Sequence, residues 1–204
     1  MKPPRTVVFD LGNVLLSFDY RVAAANLATH SSINTAELLL LLDQSPLLHE
    51  LETGRISADA FFERFRTEAG YTAAIATFAE AFGDIFTPIQ EMVDVRNAFE
   101  KAGFLTIVFS NTNELAVRHI HRRYAFFGRF HHRILSYQEG AMKPEAKLYE
   151  IVEKRAGFRG PDLLYIDDRR ENLNPAIARG WRVIHHQTPR ETIGHMRNMG
   201  LPVD

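Results

Sequence analysis

Thr6-Val7-Val8-Phe9-Asp10-Leu11-Gly12-Asn13-Val14-Leu15-Leu16 is the stretch on which the fold turns. Its first half is an apolar, β-branched run, the pattern of a buried strand. A carboxylate, Asp10, stands where the run stops, and the turn residues Gly12 and Asn13 follow at once. Open α/β sheets place their chemistry at the carboxyl end of such a strand. A strand followed by an Asx-turn, with Asp10 capping its own loop, would account for the same residues. The other strand ends of the chain decide between the two.

Downstream, the apolar spacing turns helical. Residues 20–29 are alanine-rich, Asn34 or Thr35 can cap a helix through Leu42, and Pro46 can open a short helix closed at Gly54. Ser57 caps a segment that places Phe61, Phe62 and Phe65 on one face, and residues 73–82 form a further helix. No strand-like run interrupts residues 19–86, which reads as an inserted helical bundle with the five leucines 38–42 at its centre. From Pro88 onward strands and helices alternate. The strands fall at 105–109, 133–136, 163–166 and 181–185; the helices fall at 89–102, 114–124, 145–156 and 173–179. That alternation implies parallel strands joined by right-handed crossovers. The expected fold is therefore α/β, with a parallel-sheet core of residues 1–18 and 87–204 and a small helical cap of residues 19–86.

Composition narrows the function classes. A hydrophobic share of 46% and a charged share of 24% suit a soluble globular protein, and a net charge of -1 gives no global attraction to nucleic acid or a membrane surface. The chain has no Cys, which removes disulfides, thiolate catalysis and Cys-ligated metals. The first residues lead directly into a strand carrying Asp10 rather than into a signal peptide, and the leucine run is too short to span a bilayer. A cytoplasmic protein acting on a small molecule is the expectation; nothing in the sequence fixes an oligomeric state.

Parallel strands bring their carboxyl ends to one sheet edge, so Asp10, Ser110, Lys143 and the pair Asp167-Asp168 should converge. A carboxylate, a hydroxyl, an ammonium and an acidic pair suit phosphoryl transfer. One carboxylate, ionised at neutral pH, attacks phosphorus. Cationic and hydroxyl groups stabilise phosphoryl charge. Carboxylates from two loops hold Mg2+.

Four strings carry a resemblance. They are Val7-Val8-Phe9-Asp10-Leu11-Gly12-Asn13-Val14-Leu15, Val108-Phe109-Ser110-Asn111-Thr112, Lys143-Pro144-Glu145, and Tyr165-Ile166-Asp167-Asp168 with Asn172 behind it. In this order and over nearly the whole chain they resemble the haloacid dehalogenase-like (HAD) superfamily of hydrolases, whose fold is a Rossmann-like three-layer core with an inserted cap. The strings Phe9-Asp10-Leu11-Gly12-Asn13-Val14 and Ser110-Asn111-Thr112-Asn113 are similar to those of the bacterial sugar-phosphatase group that includes an alpha-D-glucose-1-phosphate phosphatase. The resemblance implies an Mg2+-dependent phosphatase acting on a small phosphate ester, a sugar phosphate by the closer likeness. It makes Asp10 the nucleophile and gives Ser110, Asn111 and Lys143 to the phosphoryl group. Asp10, Asp168 and the Gly12 carbonyl would hold the metal, with Asp167 and Asn172 in support.

One position departs from the pattern. Phosphatases of this family carry a second Asp two residues after the nucleophile as general acid and base; here that residue is Gly12. Loss of a general acid/base costs about 10²–10⁴-fold. A weak or inactive relative that binds a phosphometabolite or a protein partner is therefore the alternative, and a dehalogenase stands third, since dehalogenases lack that Asp but do not need the acidic pair. Asp at position 12 is open to test unless the backbone there requires positive φ. The Arg- and His-rich segment 118–133 reads as a solvated face, as do His49, Glu52 and Arg55 in the cap.

Overall fold

All four residues of β1 (Thr6–Phe9) are buried, and β1 lies at the centre of a five-stranded sheet. In this computed structural model, which describes residues 2–43 and 45–203, β1 pairs in parallel with β4 (Leu105–Ser110) on one side and β6 (Leu163–Asp167) on the other. Outside these lie β5 (His132–Leu135) and β7 (Arg182–His185), also parallel. The spatial order is β5-β4-β1-β6-β7. Counted along the chain, the five strands run 3-2-1-4-5, the Rossmann-like order whose direction reverses beside the first strand.

Side chains alternate across β1, so Val7 and Phe9 face one layer and Val8 the other. The first layer contains α6 (Gln90–Lys101), α7 (Glu114–Arg123), the short α8 (Ala125–Gly128) and α12 (Pro189–Asn198), through residues such as Phe99, Ile120, Phe127 and Met196. The second contains α10 (Ala146–Ala156) and α11 (Arg170–Ala178), through Leu148, Val152, Leu173 and Ala176. Both faces are covered, which is why β1 reads as a continuous apolar run.

Between β2 (Leu16–Phe18) and β3 (Phe86–Pro88) the chain makes five helices: α1 (Tyr20–Ala28), α2 (Thr35–Leu42), α3 (Pro46–Glu52), α4 (Ala58–Ala69) and α5 (Ile75–Gly83). They enclose a hydrophobic cluster of their own, which includes Leu27, Phe61, Phe65, Phe78 and Phe82 and takes in one core residue, Leu115 of α7. The caps read from the sequence at Asn34 and Ser57 are in place, and the structure adds others: Glu37 completes a capping box with Asn34 on α2, Ser45 caps α3, and Gly70 closes α4 with left-handed backbone.

Three features differ from the sequence reading. First, β2 and β3 pair antiparallel where the chain leaves and re-enters the core; runs of three residues are too short to show periodicity. Second, α2 is not wrapped on all sides. Only Leu38 and Leu42 are buried, at i and i+4, and Leu40 is 76% exposed. Third, α12 follows β7, opened by Thr188 at the cap and Pro189 at the first helical position, a start signal present in the sequence.

Candidate active site

The β1–β6 ladder runs one bond past β1: the Asp10 N–H donates to the Ile166 carbonyl at 2.9 Å. This fixes Asp10 at the carboxyl edge of the sheet beside the strand reversal. The Leu11 N–H donates to Asp10 Oδ1 at 2.6 Å, and Lys143 Nζ lies 2.9 Å from the same oxygen. Lys143 Nζ also lies 2.7 Å from Asp167 Oδ2 and donates to the Phe109 carbonyl at 3.1 Å. The ammonium thus sits between two carboxylates, with its side chain 1% exposed.

Asn111 explains how Lys143 is held. Its Oδ1 accepts from the Lys143 N–H at 2.7 Å and its Nδ2 donates to the Lys143 carbonyl at 3.0 Å. The resemblance gives the Asn111 amide to the phosphoryl group; the side chain of the same residue engages the Lys143 backbone. The Ser110 hydroxyl, 3.2 Å from the Asn111 carbonyl, lines the adjacent cavity.

Asp167 is fully buried and saturated. Its oxygens accept from Lys143, from the Tyr165 hydroxyl, from the Arg169 N–H at 2.8 Å and from Asn172 Nδ2 at 3.1 and 3.2 Å. Asp168 has one side-chain partner among the described residues, Asn13 Nδ2 at 3.2 Å. Asn13 reaches it because its φ is 53°, a left-handed conformation that Asn tolerates better than most residues. Carboxylate oxygens of Asp10, Asp167 and Asp168 all lie within 4.8 Å of one another.

Two carboxylates thus share one ammonium, with a third, Asp168, close by. Burial pulls the Lys143 ammonium down, but Asp10 and Asp167 outweigh it and raise its pKa. Burial works against the Asp167 charge too, but Lys143 and the hydrogen bonds to it hold that carboxyl below its usual range. Asp10 receives the uncompensated charge: burial raises its pKa, Lys143 opposes, and Asp167 and Asp168 add to the rise. Ionised Asp10 at neutral pH, expected from a free carboxylate, therefore needs further positive charge in this pocket. A donor set of hard oxygens with surplus negative charge is what a divalent cation offsets.

A cavity of about 360 Å³ opens over this edge. Ser110, Asn111, Gly12 and Arg169 line its floor; Tyr20, Asp43, Ser45, Leu48, His49 and Glu52 line it from the helical insertion. Phe18 and Phe86, paired across β2 and β3, form a wall. A Cβ added at Gly12 would come 2.9 Å from Phe18 Cε1, so the ring fills the space beside that backbone. Burial, then Asp43, raises the Glu52 carboxyl to about 7. Burial, then Glu52 and Asp43, pushes the Tyr20 hydroxyl upward. Sequence reasoning missed Asn13, Phe18, Tyr20, Asp43 and Arg169; only Asn13, in its turn, stood next to a recognised signal.

Fold and site together define a doubly wound α/β protein with an acidic, lysine-bridged centre at its strand reversal. The chain belongs to the haloacid dehalogenase-like hydrolases: the model of that family matches residues 4–178. It is 22% identical over 201 residues to the sesquiterpene phosphatase AstK of Aspergillus oryzae, covering 96% of each chain. It is similar in structure to the HAD family enzyme BT-2542 of Bacteroides thetaiotaomicron, solved also in complex with magnesium and inorganic phosphate. For that complex the TM-score is 0.79 at 20% identity, covering 90% of this chain and 94% of the other. The L-2-haloacid dehalogenase of Xanthobacter autotrophicus, with chloropropionic acid covalently bound, gives 0.64 at 16% identity, covering 98% and 85%. Among the described residues no helix is long and apolar enough to cross a membrane.

Proposed function

We propose that this hydrolase is an Mg2+-dependent phosphatase acting on a small phosphate ester through an aspartyl-phosphate on Asp10. The observation that carries the reading is the Asp10–Lys143–Asp167–Asp168 cluster at the sheet edge beneath a cavity. The carboxylate surplus fits a divalent cation. Asp10 and Asp168 have acceptor capacity to spare and would be its side-chain ligands, with the Gly12 carbonyl beside them; Asp167, saturated by four donors, is the support. Bound there, Mg2+ would neutralise phosphoryl charge and favour ionised Asp10. Relatives that are a phosphatase and a magnesium–phosphate complex support the same assignment.

The residues divide the work. The free Asp10 oxygen attacks phosphorus, while Oδ1 is held by Leu11 and Lys143. Lys143, clamped by Asn111, neutralises charge between nucleophile and phosphoryl group. Ser110 and the turn amides after it meet the equatorial oxygens. Asp167 keeps Lys143 protonated and placed, and Asn172 braces Asp167. The leaving group lies in the cavity under residues 19–86, which form a cap domain on a core of 1–18 and 87–204. Polar Ser45, His49 and Glu52 on its inner side suit the hydroxyls of a sugar phosphate. The dehalogenase reading is weaker because a haloacid needs no metal to offset three carboxylates. The binding-protein reading rests on Gly12 and the Phe18 ring beside it.

A phosphate-release screen over sugar phosphates, nucleotides, prenyl phosphates and p-nitrophenyl phosphate, with and without Mg2+, tests the reading. Release that needs Mg2+ is expected. No release from any ester by folded protein with Mg2+ bound would favour the binding-protein alternative.

A further inference from the structure

With Gly12 in place of an acidic side chain, no carboxylate or imidazole among the described residues lines the cavity from the core side to move the proton that ester hydrolysis requires. In-line displacement at phosphorus says where a substitute must stand. The bond to the leaving oxygen lies opposite the attacking Asp10 oxygen. The water that later cleaves the aspartyl-phosphate must enter from that same side. The residues on either side of the nucleophile in this site, Leu11 and Gly12 next to Asp10 in the chain and Ser110 with Asn111 on the neighbouring strand end, line the cavity floor, so both oxygens lie toward the roof formed by the helical insertion.

Four titratable groups line that roof: Tyr20, Asp43, His49 and Glu52. The Tyr20 hydroxyl is pushed too high to exchange a proton near neutrality. Asp43 and His49 are exposed. Glu52 is half-buried, and among the described residues its carboxyl has no hydrogen-bond partner. It is also held in register with the core. Two residues on, Gly54 has a φ of +67°, and a Cβ there would lie 2.1 Å from the Tyr137 carbonyl. Tyr137 belongs to α9 (Ser136–Glu139), the turn that leads to Lys143. The end of α3 therefore abuts the segment that supplies the catalytic lysine.

We propose that Glu52 is the general acid and base of this enzyme, supplied by the cap in place of the residue missing at Gly12. This rests on the phosphatase reading. In the first step an Asp10 oxygen bonds to phosphorus and the P–O bond to the leaving group breaks. The leaving oxygen takes the Glu52 proton and departs as an alcohol. In the second, a water oxygen attacks phosphorus and passes a proton to Glu52. The P–O bond to Asp10 then breaks, which restores the carboxylate and releases phosphate. A carboxyl raised to about 7 by burial and by Asp43, with Tyr20, His49 and Arg169 the other ionisable neighbours in the cavity, is matched to both steps.

The test is pre-steady-state kinetics of wild type, Glu52→Gln and His49→Gln with Mg2+, on p-nitrophenyl phosphate and on ethyl phosphate. The nitrophenolate anion leaves without a proton; ethoxide does not. Glu52→Gln should release about one equivalent of nitrophenolate per active site at near the wild-type rate. It should then turn over about 10²-fold or more slowly, because only the second step has lost its base. On ethyl phosphate the same variant should lose the first step too, with no burst. Unchanged turnover on both esters would overturn the proposal. So would a loss without a nitrophenolate burst, which marks a structural role. A burst confined to His49→Gln would transfer the role to that residue. A wild type that releases nothing from either ester would remove the phosphatase reading itself, a separate failure.

Discussion

Gly12→Asp shows how the structure changes an expectation drawn from sequence alone. Its φ is not in the left-handed region, so the backbone admits a side chain. The obstacle is Phe18, whose Cε1 lies 2.9 Å from the position of a new Cβ. Carbon atoms pack at about 3.5–4.0 Å, so the ring must retreat by at least ~0.6 Å. Phe18 sits edge-on to Tyr20 at 5.9 Å and tilted against Phe86 at 6.1 Å. Such pairs contribute about 0.5–1.5 kcal/mol each, and displacement weakens both. Overpacking costs about 1–3 kcal/mol, and a ring that is 39% exposed can yield toward solvent, which selects the lower half of that range. A loss of about 1–2 kcal/mol corresponds to roughly 3–6 °C in Tm for a chain of this size. Thermal melts of wild type, Gly12→Asp, Phe18→Ala and the double variant form the cycle that isolates the clash. Gly12→Asp should cost more with Phe18 present than in the Phe18→Ala background, where only the charge added beside the Asp10, Asp167 and Asp168 cluster remains. Equal cost in both backgrounds would refute the steric argument.

Stability should fall as pH rises from about 4.5 to about 7 in part because of Glu52: its carboxyl ionises near the ordinary value in the unfolded chain and near 7 when folded, so the folded state holds the proton longer across that window. Glu52→Gln should flatten this part of a Tm-against-pH curve, and an unchanged slope would contradict the cavity's effect on the group. Calorimetric titration of Mg2+ should lose its binding heat in Asp168→Ala, because Asp10 and Asp168 are the carboxylates with free acceptor capacity; equal affinity in the two proteins would move the metal elsewhere.

The sheet was legible because its three central strands, buried on both faces, are apolar runs that stop at chemistry-bearing residues: Val7-Val8-Phe9 at Asp10, Ile107-Val108-Phe109 at Ser110, Leu164-Tyr165-Ile166 at Asp167. Convergence of Asp10, Lys143, Asp167 and Asp168 follows from parallel pairing. What pairing does not encode is how each side chain is held. The Asn111 clamp on Lys143, the Asn13 contact to Asp168 and the Phe18 ring beside Gly12 depend on loop geometry between residues up to 155 positions apart. The cavity roof was least legible. Asp43 follows the end of α2, and His49 and Glu52 lie on α3, whose outward residues are also polar, so helical periodicity cannot separate a cavity-facing Glu from a solvated one.

The central claim is that Asp10 becomes phosphorylated. Wild-type protein with Mg2+ and 32P-labelled substrate, quenched in acid during turnover and mapped by peptide mass, should show label on the peptide containing Asp10. Asp10→Asn, folded by thermal melt, should carry no label and release no phosphate. Phosphate release by Asp10→Asn at the wild-type rate, or turnover by wild type with label on any other residue, would contradict the account.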